Sequence, residues 1–187
     1  MPPKIKITDE AIIEAALSIV KKGGIGSVNA REIAKILGCS IQPVFRNFQS
    51  MENLKKVLYK RSEEIHNDYM EKGLSGNAIP FLGMGMAYID FARKEKNLFK
   101  FLFMSDEIKG KGFFEMIKEA ENQEIVELIA RMTGLKKEIA EELFMNIWLM
   151  VQGMASLVAT NDFDVSDKQI EKILRDSFLG FKYQLSK

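Results

Sequence analysis

The stretch Asn29–Ser50 reads NAREIAKILGCSIQPVFRNFQS, two short helical patterns broken by one glycine. Asn29 is placed to cap the first of them. Glu32, three residues on, gives capping-box spacing with Asn in place of the usual Ser or Thr. Ile33, Ala34 and Leu37 form its inner face, and Gly38 ends it by admitting positive φ. Ser40 is placed to cap the next helix through the amide of Gln42. Pro43 falls in the first turn, where its missing N–H breaks no intrahelical bond. Val44, Phe45 and Phe48 are the expected apolar anchors, and polar positions 40, 42, 46 and 47 are left to face outward. Two short helices on a tight glycine turn are a helix-turn-helix, whose second member offers its N-terminal residues to base edges in the major groove.

Upstream, Thr8 caps a helix with Asp9 and Glu10 in its first turn, Ile12, Ala16, Ile19 and Val20 on one face, and Gly23 as the left-handed stop. Downstream, Ser50 caps a longer helix whose stripe is Leu54, Val57, Leu58 and Ile65, ending near Lys72. Further helices are expected from Pro80 to about Lys96, over KNLFKFLFMS at 96–105, from about Phe113 to Met132, and from Lys137 to Thr160. A last one is capped by Ser166. The fold class is all-α with about nine helices. A three-helix domain over 1–61, with its motif at 29–48, precedes a helical regulatory and dimerisation domain over 62–187.

Charge separates the same two parts. Residues 1–61 hold 11 Lys/Arg against 5 Asp/Glu, a net of +6, and the remainder is net −5, so the whole chain is +1. A basic head on an acidic body suits a polyanionic partner. The start of the chain lacks the apolar run of a signal peptide, and a single Cys39 excludes an internal disulfide framework. Both lead to the expectation of a reducing, cytoplasmic setting.

The stretch from AIIEAALSIVKKGGIGSVNAREIAKILGCS through VFRNFQSMENL resembles the tetracycline-repressor (TetR) family of transcriptional regulators over about the first third of the chain. Ile33 and Ala34 match the family's apolar-Ala pair, Gly38 its turn, Val44 and Phe45 its aliphatic-aromatic pair, and Phe48 its closing residue. The chain departs from the pattern at Phe45, where the family has Tyr, at Asn47, often His, and at Met51, often Lys. Two phosphate contacts are thereby lost. The resemblance implies a double-stranded DNA operator, with Arg31, Ile41, Gln42 and Pro43 near bases and Asn29, Ser40, Arg46 and Asn47 at the motif's start and backbone contacts. Arg31 is chemically suited to guanine, Gln42 to adenine, and Ile41 and Pro43 to thymine methyls.

The body is rich in Phe and Met, which normally fill a core and which also line pockets for apolar effectors. Phe91, Phe103, Met104, Met116, Trp148 and Gln152 are the candidate effector residues. The stretch LFMNIWLMVQGMASLVA falls short of the roughly 20 apolar residues of a bilayer span, so a membrane is not expected and burial against a partner is. Gly153, Ala155, Ser156, Ala159 and Phe178 are the candidate homodimer contacts, as the resemblance also implies. His66 is the only histidine and reads as an exposed helical residue; GMG at 83–85 follows no strand and is no phosphate loop. No metal, cofactor or catalytic constellation is expected. The reading is a repressor released from DNA by a small, largely apolar effector. Its alternatives are a regulator controlled by a protein partner, or a helical apolar-ligand carrier or enzyme with a decayed head.

Overall fold

The computed structural model describes residues 7–105, 120–161 and 163–187. Among them are nine α-helices and no strand: α1 (Asp9–Gly23), α2 (Ala30–Leu37), α3 (Gln42–Phe48), α4 (Met51–Ser75), α5 (Pro80–Lys94), α6 (Lys96–Phe103), α7 (Ala120–Thr133), α8 (Lys137–Asn161) and α9 (Asp167–Leu185), with a 3-10 turn at Ile25–Ser27. The all-α expectation therefore holds. The expected start of the seventh helix at Phe113 lies outside the described residues.

Local chemistry sets most helix ends. The Thr8 hydroxyl accepts from the Ala11 amide, and Asn29 Oδ1 accepts from the amides of Arg31 and Glu32 at 3.1 and 3.0 Å. Ser50 Oγ accepts from the Asn53 amide. Ser166 and Gln169 form a reciprocal capping box. Gly38 and Gly134 take φ of 61° and 70°, the left-handed region that glycine enters without a Cβ clash. α4 runs on to Ser75, α5 stops at Lys94 and α6 at Phe103, and two caps also differ from expectation. Gly23 stays helical and Gly24, at φ 75°, is the stop. Ile41, not Ser40, occupies the N-cap of α3 with no side-chain cap, so Pro43 stands at the second helical position.

The chain divides into two compact units. The first comprises, among described residues, 7–65 and 95–105. Ile12, Leu17 and Val20 of α1, Ile33 and Ala34 of α2, Val44 and Phe48 of α3, and Leu54 and Leu58 of α4 are buried in it. The chain returns to this unit in α6, which packs on α1: Asn97 Nδ2 donates to the Lys21 carbonyl at 2.8 Å, and Lys21 pairs with Glu95 at 3.1 Å.

The second unit holds, among described residues, 66–94, 120–161 and 163–187. Its centre is the packing of α5 on α8, with α7 and α9 alongside. Phe91, Val126, Leu143, Val151 and Ile170 are buried there. Arg93 closes one end, donating to Asp167 Oδ1 and to the Val165 carbonyl, both at 2.9 Å. α8 is long and apolar enough to cross a membrane, with a mean hydropathy of 1.5, so shortness does not exclude a span. Its inward face, from Ala140 to Ala159, is covered by α5, α7 and α9, as in the core helix of a folded unit.

Where α4 meets α5 inside this unit, two glycines touch. A Cβ built on Gly83 would lie 2.1 Å from the Gly73 carbonyl oxygen, and one on Gly73 would lie 2.6 Å from the Gly83 carbonyl oxygen. The opposing atoms are backbone and cannot rotate away. Gly83→Ala should therefore lower stability by about 1–3 kcal/mol, despite alanine's better helix propensity. A urea midpoint equal to or above that of the parent would contradict the contact.

Candidate functional site

α3 is a seven-residue helix, so its buried side is little more than one i, i+4 pair. Val44 and Phe48 fill it, at 1% and 9% exposure. Phe45, a quarter-turn away, is 42% exposed, equal to Ile41 one turn before it. The expectation that Phe45 anchors the helix is thus corrected: it joins Ile41 on the outer face. Arg31, Ser40, Gln42 and Arg46 are exposed and Pro43 is half-buried.

Two expected contact residues carry internal duties. Asn29 is the cap of α2, and its Nδ2 also donates to the Ser27 carbonyl. Asn47 Nδ2 donates to Asp9 Oδ1 at 2.6 Å, tying α3 to the start of α1, while Asn47 Oδ1 accepts from Arg46 Nε at 3.2 Å. Asn29→Ala should cost about 1 kcal/mol of stability as a lost cap. An unchanged melting curve would contradict that assignment.

In the second unit a cavity of about 520 Å³ opens between α4, α5, α7 and α8. His66, Met70 and Leu74 reach it from α4, Met84 and Tyr88 from α5, and Phe144 and Trp148 from α8. Glu71, Glu124 and Arg131 add charge to its wall. Tyr88 Oη donates to Gln152 Oε1, and burial pushes the phenol above its usual range, so Tyr88 is a neutral donor.

Of the expected effector residues, Trp148 lines the cavity and Gln152 holds Tyr88. Phe91 lies beneath it, fully buried with its ring 5.3 Å from His66 and 5.2 Å from Tyr69. Phe103 and Met104 belong to the first unit and do not line the cavity; Met116 is outside the described residues. His66 is not the exposed residue expected. Its ring packs edge-on at 5.6 Å from Tyr88, and Nδ1 stands 3.2 Å from Asn67 Oδ1. The spacing of His66, Met70 and Leu74, four residues apart, carries that signal in the sequence.

Burial lowers the His66 pKa below its ordinary 6.5, and the Asn67 contact opposes this only in part. The unfolded chain thus takes up the proton first. The stabilisation is complete above about pH 6.5 and is lost as pH falls from there toward the lower folded value. Between about pH 7.5 and 5.5 the urea midpoint should fall further for the parent than for His66→Gln. Parallel curves would contradict a buried neutral imidazole.

The expected dimer residues separate by helix face. Ala155 and Ala159, at 0% and 2% exposure, are covered by their own chain and cannot present side chains to a partner. Phe178 packs its ring on Phe81 at 5.6 Å, also inside the unit. Gly153 is exposed with open space above it, and Ser156 is half-buried. The outward side of α8 runs through Leu149, Gly153 and Leu157. α9 adds exposed Ile173 and Gly180, the latter also with open space.

A family model described as tetracyclin repressor-like, C-terminal domain, matches residues 81–177, just over half of the chain. This match falls on the part that the N-terminal resemblance does not cover. No curated protein matches the chain.

Proposed function

Because the chain belongs to the tetracycline-repressor family of transcriptional regulators, we propose that it binds an operator as a homodimer and is released by a small, largely apolar effector. The observation that carries the DNA-binding part is the outer face of α3: Gln42 and Arg46 are exposed together with Ile41 and Phe45, while Val44 and Phe48 hold the helix from behind. Gln42 is suited to adenine, and the two apolar side chains to thymine methyls and deoxyribose. Arg31 and Ser40 stand at the margins for guanine or phosphate. With Asn47 engaged to Asp9 and Phe45 lacking a hydroxyl, the phosphate grip rests more on the basic head as a whole.

The outward apolar faces of α8 and α9 supply the dimer contact, and two-fold symmetry places two reading helices about one DNA turn apart. The 520 Å³ cavity is the effector site. α4 gives the effector a mechanical route, since Met51–Ser75 is one helix: Leu54 and Leu58 are buried in the head, and His66 and Met70 line the cavity. An effector that prefers one arrangement of α4 shifts the heads by its differential affinity for the two states.

Selection of bound duplexes from random DNA at one fixed salt concentration should return a two-fold symmetric consensus. Gln42→Ala should relax one position per half-site, by about 1–3 kcal/mol of discrimination. Bound pools with no enrichment would overturn the reading. Leu149→Asp with Leu157→Asp should yield monomers in sedimentation and abolish the symmetric footprint.

A further inference from the structure

A second opening in the regulatory unit has a different chemistry from the large cavity. It is a cleft of about 230 Å³ between α5, α7, α8 and α9. Leu82, Ile129, Ile147, Leu174 and Phe178 give it apolar walls. Among the described residues, its charged lining residues are both cations, Arg175 and Lys182, and no carboxylate lines it. Arg175 is already paired with Glu171 through Nε and Nη2, at 2.9 and 2.8 Å. Among the described residues, Lys182 has no carboxylate partner. The large cavity mixes Glu71, Glu124 and Arg131 and so does not select a sign of charge.

Between the two openings lies a third, smaller void that shares lining residues with each. This void, of about 50 Å³, shares Phe81, Gly85 and Ile147 with the cleft, and Met70, Met84 and Trp148 with the large cavity. Gly85, shared by the void and the cleft, leaves little room beside it: a Cβ there would already lie 3.3 Å from Leu174 Cδ1 and 3.7 Å from Val151 Cγ2. The two methionines are unbranched and re-pack readily, so the void can widen around a slender chain but not around a ring system. Arg175, Phe178 and Lys182 lie on the side of α9 facing this cleft, away from Ile173 and Gly180.

We propose, resting on the effector reading above, that the ligand is a straight-chain aliphatic carboxylate. Its carboxylate meets Lys182 and Arg175 at the mouth of the cleft, and its tail runs past Gly85 toward the large cavity. The cleft exceeds the roughly 150 Å³ that accommodates a benzene in an apolar protein cavity, so it accepts several methylenes before Gly85 is reached. Longer tails need the void beyond it.

Calorimetric titration of the full chain with hexanoate, octanoate, decanoate, dodecanoate and hexadecanoate, each below its micelle concentration, tests this. Affinity should rise by about fourfold per methylene through the shorter members, and decanoate should bind at least tenfold more tightly than decanol. Lys182→Gln should abolish that preference. Gly85→Val, checked for helicity, should retain octanoate and lose hexadecanoate at least tenfold. No binding by any member, equal binding of decanoate and decanol, or an unchanged preference in Lys182→Gln overturns the proposal; the lysine variant decides even where the glycine variant does not fold. Decanoate that binds but leaves affinity for selected DNA unchanged supports the site and retires the effector role. Intact sequence-specific DNA binding with no carboxylate binding retires the site alone.

Discussion

The regulatory unit depends on a contact that only two glycines permit. Gly73 on α4 and Gly83 on α5 meet backbone to backbone, with no room for a β-carbon on either. This contact fixes α4 against α5 near the turn that joins them. It thereby sets Met70 and His66, one and two turns back along α4, opposite Met84 and Tyr88 of α5. The cavity wall is the direct result. The same contact ties the C-terminal end of α4 into the second unit, where His66, Met70 and Leu74 line the cavity, while Leu54 and Leu58 earlier in the helix are buried in the first.

Local chemistry was largely readable in the chain. The caps at Thr8, Asn29, Ser50 and Ser166, the left-handed Gly38, and the stripes of α1, α2 and α4 depend on neighbours within one or two turns, and the folded protein shows them. What failed depended on distant partners. Ser40 and Ile41 compete to start a helix that is too short for propensity to decide. Phe45 reads as an anchor because it is aromatic, but a seven-residue helix with Val44 and Phe48 already inward has no further room. The return of α6 to α1 leaves no local mark.

The candidate site was legible only in part, for related reasons. α8 is apolar on nearly every side, so its composition cannot show which side faces the unit; Ala155 and Ala159 proved to be inward, and Leu149 and Leu157 outward. Trp148 and Gln152 were identifiable as sharing a face. Within its own helix His66 reads as exposed, and nothing local marks Tyr88; their place at the cavity depends on their contact with one another. The glycines of GMG lie within α5 and act as spacers, Gly83 against the Gly73 backbone and Gly85 against Leu174.

The proposed function rests on the continuity of one element. Leu54 and Leu58 of α4 are buried in the first unit and His66 and Met70 of the same helix line the cavity, and it is this unbroken helix, stiffer than a loop, that the proposed mechanism uses. The direct test is the separation of the two heads in the proposed dimer. Pulsed dipolar spectroscopy between spin labels at Lys35→Cys, an exposed α2 position, in a Cys39→Ser background reads it. The account predicts one narrow distance in the free and DNA-bound dimer and a displaced distance when a ligand shown by calorimetry to bind is added. Identical distances with and without that ligand, or no dipolar coupling at all, would contradict it.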